Sequence, residues 1–518
     1  MKTRLLIASA LLAYIAQGAR AQDARTLLQA VSKNIGADNL NTLQISGTQG
    51  YSAAVGAPYS ADQDWPRGEL TSYTKEIDFN AHFSREQIAR RSGPNSPIGG
   101  TQGISQRGQK FDFVLNGNTA WVVTGGGAGP YDRQGYMDGI PVAEMWQLDN
   151  IMTPQGFVKE ALAPDAHPAI VMIIGPRGHQ ITYVSIAALG KYHITAEINE
   201  KNEIESVVTH VANPAFGDML YAYSYGPYKQ FGAVKFPSTI HRDEGDPQLT
   251  PAHNSFYLQV AAVQANASVQ VYTPTSGEKL PKDPITPIDS KKIGEGVWYI
   301  AGEGVRHASV AIEFPDFVVV VEAPLSEDRS IVVINEVHRL VPNKPIRYLV
   351  STHYHFDHMG GIRTYAAEGA TIVTSAEDAD VYRRVVLSPA PRTLAPDRLS
   401  LLPPDRWPRE LLGLVTDEYV ISDKGQELDV YPMPSFEHVS SMLVAYLPRE
   451  KMIINADVYE PPAPGKPLPR ASAGARMLYE TIQRLGLDVK TQVGIHGGVG
   501  SEDDFTKIVT QPDSPAGN

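Results

Sequence analysis

The chain of 518 residues contains no cysteine. Disulfides, cysteine-ligated zinc, a thiol nucleophile and a lipidated thiol are all excluded, so the fold must rest on packing, hydrogen bonds and any metal it binds. A basic surplus is missing too: 45 Lys and Arg stand against 57 Asp and Glu, a formal charge of -12, with the cations spread along the chain. Nucleic acid therefore gets no electrostatic support as a partner. After the N-terminus no apolar run approaches the ~18 residues that a membrane span requires. The run Gly125 to Gly129 lacks the Lys-Ser/Thr ending of a phosphate loop and reads as a flexible turn.

What is present starts with Met1-Lys2-Thr3-Arg4, an apolar run from Leu5 to Ile15 and the small-x-small pattern Ala19-Arg20-Ala21. These three regions predict a secretory signal peptide over 1–21 and a periplasmic or secreted mature protein. The length exceeds one ordinary core, so two domains are expected.

From 22 to 273 the sequence is strand-rich, with Val, Ile, Tyr and Thr segments separated by Gly, Asn and Pro turns. An amphipathic helix is predicted over Ala24 to Ile35, and a helical region over Pro141 to Ala163. Tyr221, Tyr223 and Tyr225 alternate as one face of a strand would, and packing is the default reading of that stripe. His82, His167, His179, His193, His210, His241 and His253 are scattered without ligand spacing and read as ordinary histidines. Residues 274–292 shift to Pro, Lys, Asp and Ser, which marks a linker. From 293 to 518 strands alternate with helices, the pattern of sheets covered by helices. The whole is an α+β chain. Pro389 to Pro408 breaks the alternation with prolines and arginines, and is expected either to rim a site or to run over the surface.

The chemistry concentrates in Thr352-His353-Tyr354-His355-Phe356-Asp357-His358-Met359-Gly360-Gly361. The apolar segment Ile346 to Ser351 before it reads as a buried strand, and a helix entry follows, so the cluster sits on a strand-to-helix loop. On extended backbone His353 and His355 can point the same way at one ion, which leaves Asp357 and His358 for a second. Imidazole nitrogen and carboxylate oxygen are ligands that zinc accepts.

This H-x-H-x-D-H signature resembles that of the metallo-β-lactamase superfamily. The remaining positions of the family pattern are filled in order by His438, by Asp457 at the end of Met452-Ile453-Ile454-Asn455-Ala456-Asp457, and by His496 in Gly494-Ile495-His496-Gly497-Gly498. The resemblance implies a four-layer αββα sandwich with two zinc ions at its mouth. His353, His355 and His438 would hold the first ion, Asp357, His358 and His496 the second, and Asp457 would bridge them. It further implies a hydrolase in which a metal-bridging hydroxide attacks, with Asp357 orienting it and shuttling its proton. His307 and Glu322 fall near the site in this pattern, each readable as a site residue or as an ordinary polar residue. Segments Tyr225 to Gly232 and Val234 to Pro237 look similar to parts of curved-sheet, lipoprotein-carrier-like domains.

An aspartate at position 457 is similar to the thioesterase, lactonase, phosphodiesterase and alkylsulfatase branches, whereas dedicated β-lactamases lack it. The expected substrate is a small ester, lactone, thioester or related molecule. A β-lactam hydrolase and a non-catalytic ligand carrier are the alternatives.

Overall fold

Side chains that alternate between apolar and polar with period two govern the first half, and they produce one large sheet. The computed structural model describes residues 18–93, 108–124, 127–130, 140–174, 180–245, 253–271, 288–302, 307–387, 391–408, 411–463 and 465–511. The apolar part of the expected signal peptide and residues 274–287 of the expected linker lie outside this set.

Fifteen strands form an antiparallel sheet that meanders from Gly127–Pro130 back to Gln49–Ala53, passes to His253–Gln259, and continues to Ala169–Ile174. Helices Gly18–Ile35, Val142–Ile151 and Pro154–Leu162 bury Leu28, Val31, Ile35, Leu148 and Phe157 against Val184, Ile194, Val207 and Tyr221 of the sheet. Each such side chain removed from water contributes about 1.5–3 kcal/mol. The tyrosine stripe belongs to this packing. Tyr221 and Tyr223 donate to Asp149 Oδ1 at 2.6 and 2.9 Å, and Tyr225 donates to the Met152 carbonyl at 2.7 Å.

Several expectations need correcting. The first helix begins at Gly18, not Ala24, and so crosses the expected cleavage point after Ala21. The helical region expected over 141–163 is present, divided into two helices because Thr153 caps Gly156 N and Pro154 opens the second. Gly127–Pro130 is an edge strand paired with Trp121 to Thr124 and not a flexible turn, while Gly125 and Gly126 lie outside the described residues. Ile288–Gly294, which overlaps the last five residues of the expected linker, is a strand paired with Val297–Gly302. As an edge strand with one wet side, its composition imitates a linker.

In the second half, a seven-stranded sheet runs in chain order from Ile288–Gly294 to Leu412–Val415, and a six-stranded sheet from Tyr419–Asp423 to Gly498–Ser501. Strand Val318–Val321 shows how they stack, since all four valines are buried. Val319 and Val321 join Leu443, Ala445, Ile454 and Val493 of the other sheet. Val318 and Val320 face the helical side, with Val333 and Val337 of helix Glu327–Leu340. Leu478 and Ile482 of helix Ala473–Leu485 join the core with Val444 and Ile453 on the far side. The order is helices, sheet, sheet, helices.

The proline-rich segment 391–408 clamps the halves together. Arg392, buried, donates to the carbonyls of Asn213, Pro214 and Ala215, and Asp218 accepts from Thr393 and Leu394. Arg363 and Arg392 both pair with Asp397 on the same segment.

Candidate metal centre

Strand pairing gathers the chemistry at one end of the second half. His353 and its neighbours follow strand Ile346–Val350, Asp457 follows Met452–Asn455, and His496 follows Thr491–Gly494. His438 precedes Met442–Leu447, which runs antiparallel to Met452–Asn455 and so starts where that strand ends. Gly361 lets the loop turn against helix Glu327–Leu340, because a Cβ there would stand 1.8 Å from Ser330 Oγ.

The seven side chains form two groups whose ligand atoms lie within 4.8 Å of one another: His353, His355, His438 and Asp457, and Asp357, His358, Asp457 and His496. Asp457 belongs to both. Its Oδ2 lies 2.9 Å from His438 Nε2, 3.2 Å from His358 Nε2 and 3.6 Å from His353 Nε2, and its Oδ1 lies 2.6 Å from His496 Nε2. The residues are shielded from water, with His353, His355 and His358 at 0 % exposure and His496 at 4 %.

Two nitrogens in the first group, His353 Nε2 and His355 Nδ1, are buried with no hydrogen-bond partner among the described residues. A buried polar atom left so costs about 1–3 kcal/mol. A cation with affinity for imidazole would satisfy both, so the donor set fits a metal such as zinc.

Residues 302–489 match the family model for the metallo-beta-lactamase superfamily. This span is a metallo-β-lactamase superfamily domain. It contains every residue of the two groups except His496, which lies seven positions beyond it. Solved structures similar to this chain include a metallo-beta-lactamase from Pontibacter korlensis, with 17% identity, 43% of this chain and 98% of that one covered, and a TM-score of 0.32. The FIM-1 metallo-beta-lactamase of Pseudomonas aeruginosa in its mono-zinc form has 19% identity, 44% and 95% coverage, and a TM-score of 0.31. A metallo-beta-lactamase from Hirschia baltica has 17% identity, 44% and 100% coverage, and a TM-score of 0.31. No curated protein matches the chain.

Electrostatics divide the metallo-β-lactamase domain's two groups. Burial, helped by neighbouring His358, pushes His353 down to about 4, and burial drives His355 well below its ordinary value. Both imidazoles are thereby neutral, the form that ligates. Burial would also disfavour charge on the second group, but there the ion partners win. His358 is held well above its usual range by Asp457, Asp357 and Glu322, while Asp357 is held low by His358 and His307, and Asp457 by His358 and His496.

Two residues left ambiguous by the sequence stand at the centre. Glu322 is fully buried and takes His358 Nδ1 at 2.6 Å, and His307 Nε2 lies 3.4 Å from Asp357 Oδ2. Arg329 donates to the His307 carbonyl at 3.3 Å. Glu322 and Asp457 have φ of +76° and +58°, a left-handed backbone that non-glycine residues adopt at a cost of about 1–3 kcal/mol. Sequence reasoning missed the segment Gly56 to Tyr59 of the first half, which packs on the histidine motif. Its Pro58 carbonyl accepts from His355 Nε2 at 3.0 Å.

Proposed function

We propose that this chain is a dinuclear zinc hydrolase acting on a small ester, lactone, thioester or related substrate. One observation carries the reading: two buried donor groups share the carboxylate of Asp457. His353, His355 and His438 would hold one ion, and Asp357, His358 and His496 the other. When bound, two such ions lower the pKa of water from about 15.7 towards about 7 and so supply a nucleophile at neutral pH.

The chain's own groups do the rest. Asp357 is held ionised, and its Oδ1 is buried without a hydrogen-bond partner among the described residues, so this oxygen is placed to accept the proton of the attacking water in passing and relay it to the leaving group. His307, beside Oδ2, fixes the carboxylate's orientation. Glu322 fixes the ring of His358. The ligand side chains are buried, and their shielding from bulk water strengthens each of these interactions. Among the described residues no helix is long and apolar enough to cross a membrane. The charged start, the Leu5 to Ile15 run and Ala19-Arg20-Ala21 support export to the periplasm or beyond.

Elemental analysis of the purified chain tests the metal, with about two zinc ions per chain expected. A panel of esters, lactones, thioesters, sulfate and phosphate esters and a chromogenic β-lactam tests the reaction. A chain active without metal overturns the reading, and a chain inert across the panel favours a ligand carrier.

A further inference from the structure

Strands Gln49–Ala53 and Arg67–Asp78 pair up to Ala53 opposite Arg67, so a two-residue turn would suffice to join them. The connection instead runs from Ala54 to Pro66, and much of it lies on the histidine motif. Gly56 O accepts from Phe356 N at 3.0 Å, Pro58 O from His355 Nε2 at 3.0 Å, and Tyr59 O from Tyr354 Oη at 2.8 Å. Tyr59 O also accepts from Ser440 N at 2.7 Å, two residues beyond His438. The Phe356 ring, between two motif residues, packs edge-on to Trp65 and Phe216, with centroids at 6.3 and 5.3 Å. It lies so close to Gly56 that a Cβ there would stand 2.3 Å from the ring, and Gly56 has φ of +79°.

We infer that the first half is a working part of the metal centre: the connection Ala54–Pro66 positions His355 and the His438 loop for the first ion. The chemistry of the Pro58 contact is decisive. A carbonyl only accepts, so His355 Nε2 must carry the ring proton, and the neutral imidazole then has its lone pair on Nδ1. That nitrogen is the buried one with no hydrogen-bond partner. The same segment ties Tyr354, His355 and Phe356 on one side to Ser440 on the other, so two ligand loops distant in sequence are set by one strap. Gly56, Pro58 and Tyr59 are positioning residues that act through the ligands. The inference rests on the metal-site reading above.

The test uses the full chain with Ala54–Pro66 replaced by Asn-Gly, which leaves the flanking strands paired. Zinc affinity is read by competition with a chromogenic chelator. One of the two ions should bind about 10–100-fold more weakly, as when a group supporting a ligand is lost, and the other should be retained. Gly190→Ala, in a turn of the same half where a Cβ meets nothing but a φ of +73° strains the backbone, controls for general loosening and should keep both affinities. A second measurement needs no variant: coupling is reciprocal, so zinc must stabilise the docked strap. Amide exchange over Gly56 to Trp65 should slow when zinc is added to the metal-free chain.

Equal zinc affinities in the wild-type and shortened chains overturn the inference alone. If the shortened chain does not fold, exchange decides, and equal rates with and without zinc overturn it. A wild-type chain that binds no zinc overturns the functional reading and this inference together.

Discussion

Glu322 and His358 form a hydrogen bond of 2.6 Å between Oε2 and Nδ1, completely shielded from water. Glu322 Oε1 meanwhile accepts from Thr352 N at 2.9 Å, so one side chain holds both an imidazole and the backbone that leads into the motif. Glu322→Ala leaves both donors buried and unpaired. The ion bound by His358 should then be held about 10–100-fold more weakly, measured by chelator competition. Unchanged affinity would mean that Glu322 does not orient the ring.

Asp457 has four imidazoles within 3.6 Å. Asp457→Ala removes the oxygen donors that both groups share. Metal content should fall from two to one or fewer per chain by elemental analysis, and turnover by about 100-fold or more. Full metal content in this variant contradicts the shared role.

Arg392 donates to three carbonyls of the first half. Arg392→Ala leaves those acceptors without their donor and should destabilise the chain by about 2–5 kcal/mol in denaturant unfolding. Arg392→Lys should recover only part of this, because a point charge cannot span three acceptors as a planar guanidinium does. A midpoint unchanged in Arg392→Ala would show that the clamp adds nothing.

Asp378 is pushed up to about 7 by burial, although Ser441 donates to its carboxylate. In the unfolded chain its pKa is about 3.9. Between those values the folded form binds more protons, so the contribution of Asp378 to stability is fully present below about pH 4 and is lost by up to about 1.4 kcal/mol per pH unit as pH rises towards 7. Asp378→Asn should flatten that part of the stability profile, measured by denaturant midpoints from pH 4 to 8. A wild-type slope surviving in the variant would place its origin elsewhere.

Local spacing made the first part of the site legible, because His353, His355, Asp357 and His358 sit within one short loop. His438, Asp457 and His496 could be named only because a family pattern orders them, and the structure brings them to the same place. Glu322 and His307 carried too little local signal to decide. The longest hairpin among the described residues, Arg67–Asp78 with Phe83–Ser92, has no plain apolar alternation because its many charges pair across strands, as Arg91 does with Glu69 within it and Arg85 with Asp112 of the next strand. Residues 391–408, of a segment expected either to rim the site or to run over the surface, supply the clamp at Arg392, which nothing in their composition reveals. The contact of Gly56 with Phe356 joins residues hundreds of positions apart, and periodicity carries no information over such a distance.

That separation also orders events during synthesis. Pro58 precedes His355 by 297 positions, so a ribosome delivers the acceptor long before the donor. Domains that emerge first generally fold first, and the large antiparallel sheet can form before the histidine motif has emerged. The motif then closes onto a template already in place.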